Sequence, residues 1–117
     1  DECMVYELMA GRPRAAFAQD LKAGIGSDQV RKWSPGDPYA WAVDSYWRAR
    51  KEAYRWPDGE SLPFKWARPG MDLTSENYID ARLPLAREQL QKAGVRLAHL
   101  LNEALDPKYT PPAAPAE

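Results

Sequence analysis

A catalytic transition-metal site needs three imidazole, thiolate or carboxylate ligands around each open position, and this chain has one histidine and one cysteine. His99 falls in step with Glu88, Lys92, Arg96 and Glu103 at intervals of three and four. That spacing puts it on the polar stripe of a helix and predicts a solvated surface residue. Cys3, near the start of a helix, reads as a small buried hydrophobe. There is no His-Glu-x-x-His, no Cys-x-x-Cys and no Gly-rich phosphate loop, so these residues alone cannot build a multinuclear metal centre. Asp58 and Glu60 flank Gly59 and read as a solvated turn, because two carboxylates fall short of the oxygen cage a hard cation requires. Asp44 lies inside a Trp-rich helix, and Asp1 by itself is a terminal carboxylate.

These residues have to be positioned by helices. The longest spans Tyr78 to Leu105, where Leu83, Ala86, Leu90, Ala93, Leu97, Leu100 and Ala104 recur on one face. That face is the expected core contact, and the stripe of Glu88, Lys92, Arg96, His99 and Glu103 is the expected solvated side. Leu97→Asp is accordingly expected to disrupt the fold. Gly94 costs roughly 1 kcal/mol against alanine in a helix interior, and with Ala93 it reads as a notch for a close neighbour. Ser75 is the expected N-cap, and Pro84 is expected to kink or restart the helix, since its ring meets the carbonyl four residues back.

Upstream, helices are expected over about Glu2 to Met9, Arg14 to Lys22, Ser27 to Trp33 with Ser27 as cap, and Pro38 to about Tyr54. Asp37 before Pro38 is a good helix start, because proline loses no hydrogen bond at the first helical position. In the Pro38 helix, Ala42, Tyr46, Ala49 and Ala53 share a face flanked by Val43 and Trp47. A long irregular loop rich in Pro and Gly covers Arg55 to Thr74. The tail after Asp106-Pro107 is Pro-rich and expected to be disordered. The chain thus divides into a helical part, 1–106, and a tail, 107–117, and the fold class is all-α.

Composition adds little. A hydrophobic fraction of 44% supplies a core, and a net charge of −1 gives no overall electrostatic footprint for sequence-independent nucleic-acid binding. No apolar run approaches the length of a membrane span, so no membrane partner is expected. The five tryptophans could stack nucleobases, and Arg48, Arg50, Lys51 and Arg55 lie near Trp47 and Trp56. Tryptophans at helical spacing are more often core, so Trp56 and Trp66, in the loop, are the better surface candidates.

The wording of three segments goes further. Ala93-Gly94-Val95-Arg96-Leu97-Ala98 followed by Leu100-Leu101-Asn102 resembles the closing helix of the S1/P1 nuclease family. Trp41-Ala42-Val43-Asp44-Ser45, with Ala49 and Tyr54 beyond it, resembles that family's Trp-x-x-acid-Ser helix. The opening Asp1-Glu2-Cys3-Met4-Val5 resembles the helix start at the family's last metal motif, in which a His is followed after three residues by an Asp. The resemblance spans most of Asp1 to Leu105, matching only loosely from Trp56 to Thr74.

This resemblance implies a phospholipase C/P1 nuclease-like helical fold of which the chain is the C-terminal portion. It implies a secreted or periplasmic, zinc-dependent phosphodiesterase that hydrolyses single-stranded DNA or RNA and the 3′-phosphate of nucleotides. Zinc would be held almost entirely by residues upstream of residue 1. Asp1 alone matches a ligand position, paired with an upstream His, so Asp1→Ala is expected to matter only for zinc retention in a longer protein. Asp44 is implied to be structural, accepting hydrogen bonds from backbone or an Arg. The implied partners are the upstream N-terminal part of the same enzyme and single-stranded nucleic acid or nucleotides. This piece alone is expected to be inactive. The alternative is a non-catalytic helical interaction or structural domain.

Overall fold

A computed structural model describes residues 2–55 and 76–113. It contains helices and, among the described residues, no strand. Helix α1 spans Glu2–Met9, α2 Arg14–Ala23, α3 Ser27–Trp33 and α4 Pro38–Arg48, which continues as a π-helical turn, Ala49–Ala53. The long α5 spans Glu76–Leu105; its 30 residues make a rod about 45 Å long. The all-α class and the helix positions agree with the sequence reading.

Local chemistry explains the boundaries. The Asp37 carboxylate caps α4, accepting from the Ala40 N–H at 2.8 Å, with Pro38 in the first turn. At α3 the expectation needs correcting. Gly26 is the N-cap and Ser27 the first helical residue; the Gln29 side chain reaches back to the Gly26 N–H at 3.0 Å and does the capping. Pro84 neither breaks nor restarts α5. Pro84 and Asp80 are both exposed; a proline inside a helix leaves the carbonyl four residues back without its intrahelical partner. Gly36 has φ +102°, and a Cβ there would lie 3.1 Å from the Trp41 indole nitrogen; the turn between α3 and α4 therefore requires glycine.

α1, α2 and α3 pack along α5. Asp20 on α2 accepts from Arg87 at 2.9 Å and Arg12 at 3.2 Å, and the Gln91 amide donates to the Leu21 carbonyl at 2.9 Å. Tyr78 donates to the Ala53 carbonyl at 2.5 Å and ties the π-helical turn to the start of α5. Among the described residues, the buried apolar side chains are Phe17, Trp41, Tyr78 and Val95.

The orientation of α5 reverses the expectation. Its buried residues are Tyr78, Lys92, Val95 and His99, so the stripe read as solvated is the inner one. On the other face Leu83, Ala86 and Leu90 are half-buried, but Ala93, Leu97, Leu100 and Ala104 are exposed, Leu97 at 58%. Helical periodicity fixes the two faces without saying which one packs inside this chain. In α4, likewise, Trp41 is buried while Ala42, Val43, Tyr46 and Trp47 face outward. Gly94 has nothing within 4 Å of a built Cβ, so no close neighbour within the described residues fills the expected notch.

Leu97→Asp is therefore expected to cost this chain no more than about 1 kcal/mol, mainly the helix-propensity penalty of aspartate. Phe17→Ala is expected to cost about 3 kcal/mol or more. Urea denaturation of the two variants measures the contrast.

Candidate functional site

The polar residues singled out in α4 and α5 meet in one seam. Trp41, Asp44 and Arg48 lie at steps of three and four on α4, opposite Glu88, Lys92, Arg96 and His99 on α5. The Asp44 carboxylate accepts from Arg96 Nη2 at 2.8 Å and from Lys92 Nζ at 3.3 Å. Lys92 also lies 3.4 Å from Glu88, which accepts from Arg48 at 2.9 Å, and Arg48 lies 4.0 Å from Glu52. Arg48, Lys92 and Arg96 are thus matched by Glu52, Glu88 and Asp44, and the seam carries no net charge. The role implied for Asp44, acceptor to an arginine, is the one observed.

This balance is what permits burial. The Lys92 side chain is only 9% exposed, and an ammonium removed from water costs several kcal/mol unless opposite charges meet it. Arg96 is held further by the Trp33 carbonyl at 3.4 Å and by the Trp41 ring, whose centroid lies 5.5 Å from its guanidinium carbon. The Trp41 indole donates to the Pro35 carbonyl at 2.9 Å, so the ring is held at its N–H edge as well as under the guanidinium.

His99, expected on the surface, is buried at the end of this seam. Its ring meets Trp41 edge-on at 6.2 Å, and its Nδ1 lies 3.0 Å from the Tyr109 hydroxyl. Glu103 lies 3.9 Å from Nε2. Tyr109 turns back onto α5 through a short turn in which the Lys108 N–H donates to the Asp106 carboxylate at 2.9 Å. The imidazole is thereby a packing and hydrogen-bonding group inside an aromatic sandwich. A Trp at position 41 and a Tyr at position 109 carry no sequence mark of that partnership.

Beside the seam runs an open groove of about 360 Å³ between α4 and α5, lined by Pro38, Ala42, Ser45, Ala93, Leu97 and Leu100 among others. The Gln89 amide nitrogen, also in its wall, is buried without a hydrogen-bond partner among the described residues. Trp41 and Arg96 of the seam also line it; its surface is mostly apolar, and none of its lining residues is a His, Cys, Asp or Glu.

No group of three His, Cys, Asp or Glu side chains comes together as a metal requires among the described residues. The one imidazole is committed to Tyr109, so these residues do not fit a zinc centre. Asp1, Ser75, Trp56, Trp66, Asp58 and Glu60 lie outside the described residues, as does the side chain of Cys3. Of the tryptophans at helical spacing, Trp41 is buried and Trp33 half-buried, but Trp47 is 58% exposed, against the core reading. No described helix is long and apolar enough to cross a membrane.

A family model described as S1/P1 Nuclease matches residues 1–106. No curated protein and no solved structure matches the chain.

The hydrogen bond from Arg96, opposed in part by burial and aided by Lys92, holds the Asp44 carboxyl below its ordinary value of 3.8. A depressed folded value means that the stabilisation is complete above the ordinary carboxylate range and is lost as pH falls through the folded value. Asp44→Asn is expected to lower stability by about 1 kcal/mol at neutral pH, a modest figure because the carboxylate is partly solvated. It should also remove part of the acid-induced loss. Thermal melts of both proteins from neutral pH into acid test this.

Proposed function

The chain belongs to the S1/P1 nuclease family, and we propose that it forms the C-terminal structural part of a zinc-dependent phosphodiesterase. The family is zinc-dependent and typically extracellular. On our reading, the parent enzyme hydrolyses single-stranded DNA or RNA and the 3′-phosphate of nucleotides, and it is secreted or periplasmic. The metals belong to an upstream N-terminal part, to which this chain adds Asp1 at most, beside an upstream His. No catalytic step is assigned to the described residues.

The observation that carries this reading is the outward apolar face. Leu97, Leu101 and Leu105 are exposed at 58%, 48% and 76%, on the helix that resembles the family's closing helix. Burying a leucine side chain is worth roughly 1.5–3 kcal/mol, so a row of them left in water is a large unused contribution. The groove beside them, the Gln89 amide with no partner among the described residues and the space over Gly94 that no described residue fills favour the same occupant, the metal-bearing helices. The charged seam then acts mechanically, holding α4 and α5 as a rigid wall against which those helices set their ligand geometry.

The test compares the 117-residue chain with a protein extended upstream to include a metal-bearing region. Zinc content and hydrolysis of single-stranded DNA are measured in each. We expect activity and stoichiometric zinc only in the extended protein, with both lost on Leu97→Asp or Leu101→Asp, substitutions the chain alone tolerates. Hydrolysis by the chain alone, or an extended protein indifferent to the leucine substitutions, would overturn the proposal.

A further inference from the structure

The end of α4 carries a feature that neither the scaffold nor the metal chemistry uses. Tyr46, Trp47 and Tyr54 are all more than half exposed. The Tyr46 and Trp47 rings meet edge-on at 5.3 Å. The Arg50 guanidinium carbon lies 5.8 Å from the centroid of the first and 5.5 Å from that of the second, and Arg50 Nη1 donates to the Tyr46 hydroxyl at 3.2 Å. Two aromatic rings and a guanidinium plane are therefore locked together at the surface.

Tyr46 and Trp47 lie in the last turn of α4 and Arg50 in the π-helical turn that continues it, closed by the Tyr54 N–H donating to the Ala49 carbonyl at 3.0 Å. Such turns are rare and concentrate at functional sites. Charge in the neighbourhood is one-sided. Arg50, Lys51 and Arg55 are exposed and form no ion pair with a carboxylate among the described residues, a state they share with Arg14, Lys22, Lys32, Arg82 and Lys108. The nearby carboxylate, Glu52, is engaged by Arg48. Three cations thus follow the exposed aromatic rings within one short stretch of sequence, in a chain of net charge −1.

We propose that Tyr46, Trp47 and Arg50, with Lys51 and Arg55 close by in sequence, form a docking platform for single-stranded nucleic acid. Bases stack on Trp47 and on the Arg50–Tyr46 surface, and the cations meet the phosphates. A duplex conceals the base faces the platform needs, so the strand must be single. An acidic peptide would satisfy the cations but leave the rings without flat partners. The identity of the strand rests on the functional reading above; the binding itself requires no metal and no hydrolysis.

The test measures anisotropy of a labelled oligothymidylate of about twelve nucleotides, titrated with the full chain in the presence of a chelator. Circular dichroism verifies that each variant is folded. We expect saturable binding that weakens with salt, and a loss of about tenfold on Trp47→Ala, the scale of one lost stacked base. Arg50→Ala should weaken binding similarly, and Arg50→Lys should restore the salt dependence without the full affinity, since lysine keeps the charge but not the plane. Equal affinity for a duplex of the same length, or unchanged affinity in both alanine variants, would overturn the platform. So would absence of binding, which would instead mark the rings as a contact for other protein. Because no metal is present, each of these results leaves the hydrolysis test of the extended protein standing on its own.

Discussion

The Asp44 carboxylate is the contact on which the arrangement of this chain turns. It takes one hydrogen bond from Arg96 and one from Lys92, and by doing so it lets α5 bury a cationic stripe. Remove that acceptor and Lys92 keeps only Glu88, while Arg96 keeps a carbonyl and a ring. The Asp44 carboxylate is partly solvated, so these bonds give only modest net stability. What it supplies is register: the α4 stripe of Trp41, Asp44 and Arg48 has one complementary stripe on α5, and Trp41 over Arg96 and His99 sets the angle at which they meet.

That choice has a consequence for everything else. A helix that spends its charged stripe on the inside must present its leucines elsewhere. Leu97, Leu101 and Leu105 look outward, as do Val43, Tyr46 and Trp47 on α4. The described core is correspondingly slight. The leucine side of α5 suits the burial of further helices, whereas the aromatic end of α4, crowded with arginine and lysine, suits a charged and planar ligand. The two outward surfaces thus differ in chemistry.

Much of the fold was legible from the sequence because its signals are local. Asp37-Pro38 starts α4, the alternation of threes and fours defines α5, and the segment from Ala93 to Asn102 carries the family resemblance. What was not legible is which face of an amphipathic helix turns inward, since periodicity is symmetric between an apolar face that packs on its own chain and one that packs on something else. His99 therefore lies inside, and Leu97 and Trp47 outside, opposite to what their spacing suggests. The Asp44–Arg96 pair was accessible in part: an acid inside a Trp-rich helix implied a structural acceptor, but a partner 52 positions away leaves no local mark. Pro84 leaves α5 continuous, so the restart expected there does not occur.

The inward orientation of the charged stripe of α5 is tested most directly by the reactivity of its lysine. Timed modification of the 117-residue chain with an amine reagent, resolved residue by residue by mass spectrometry, compares Lys92 with Lys32 and Lys51, which are exposed. Burial against Asp44 and Glu88 predicts that Lys92 reacts at least about tenfold more slowly than the other two, with the difference shrinking in Asp44→Asn. Equal rates for all three lysines would contradict it and return the leucine face to the inside of the fold.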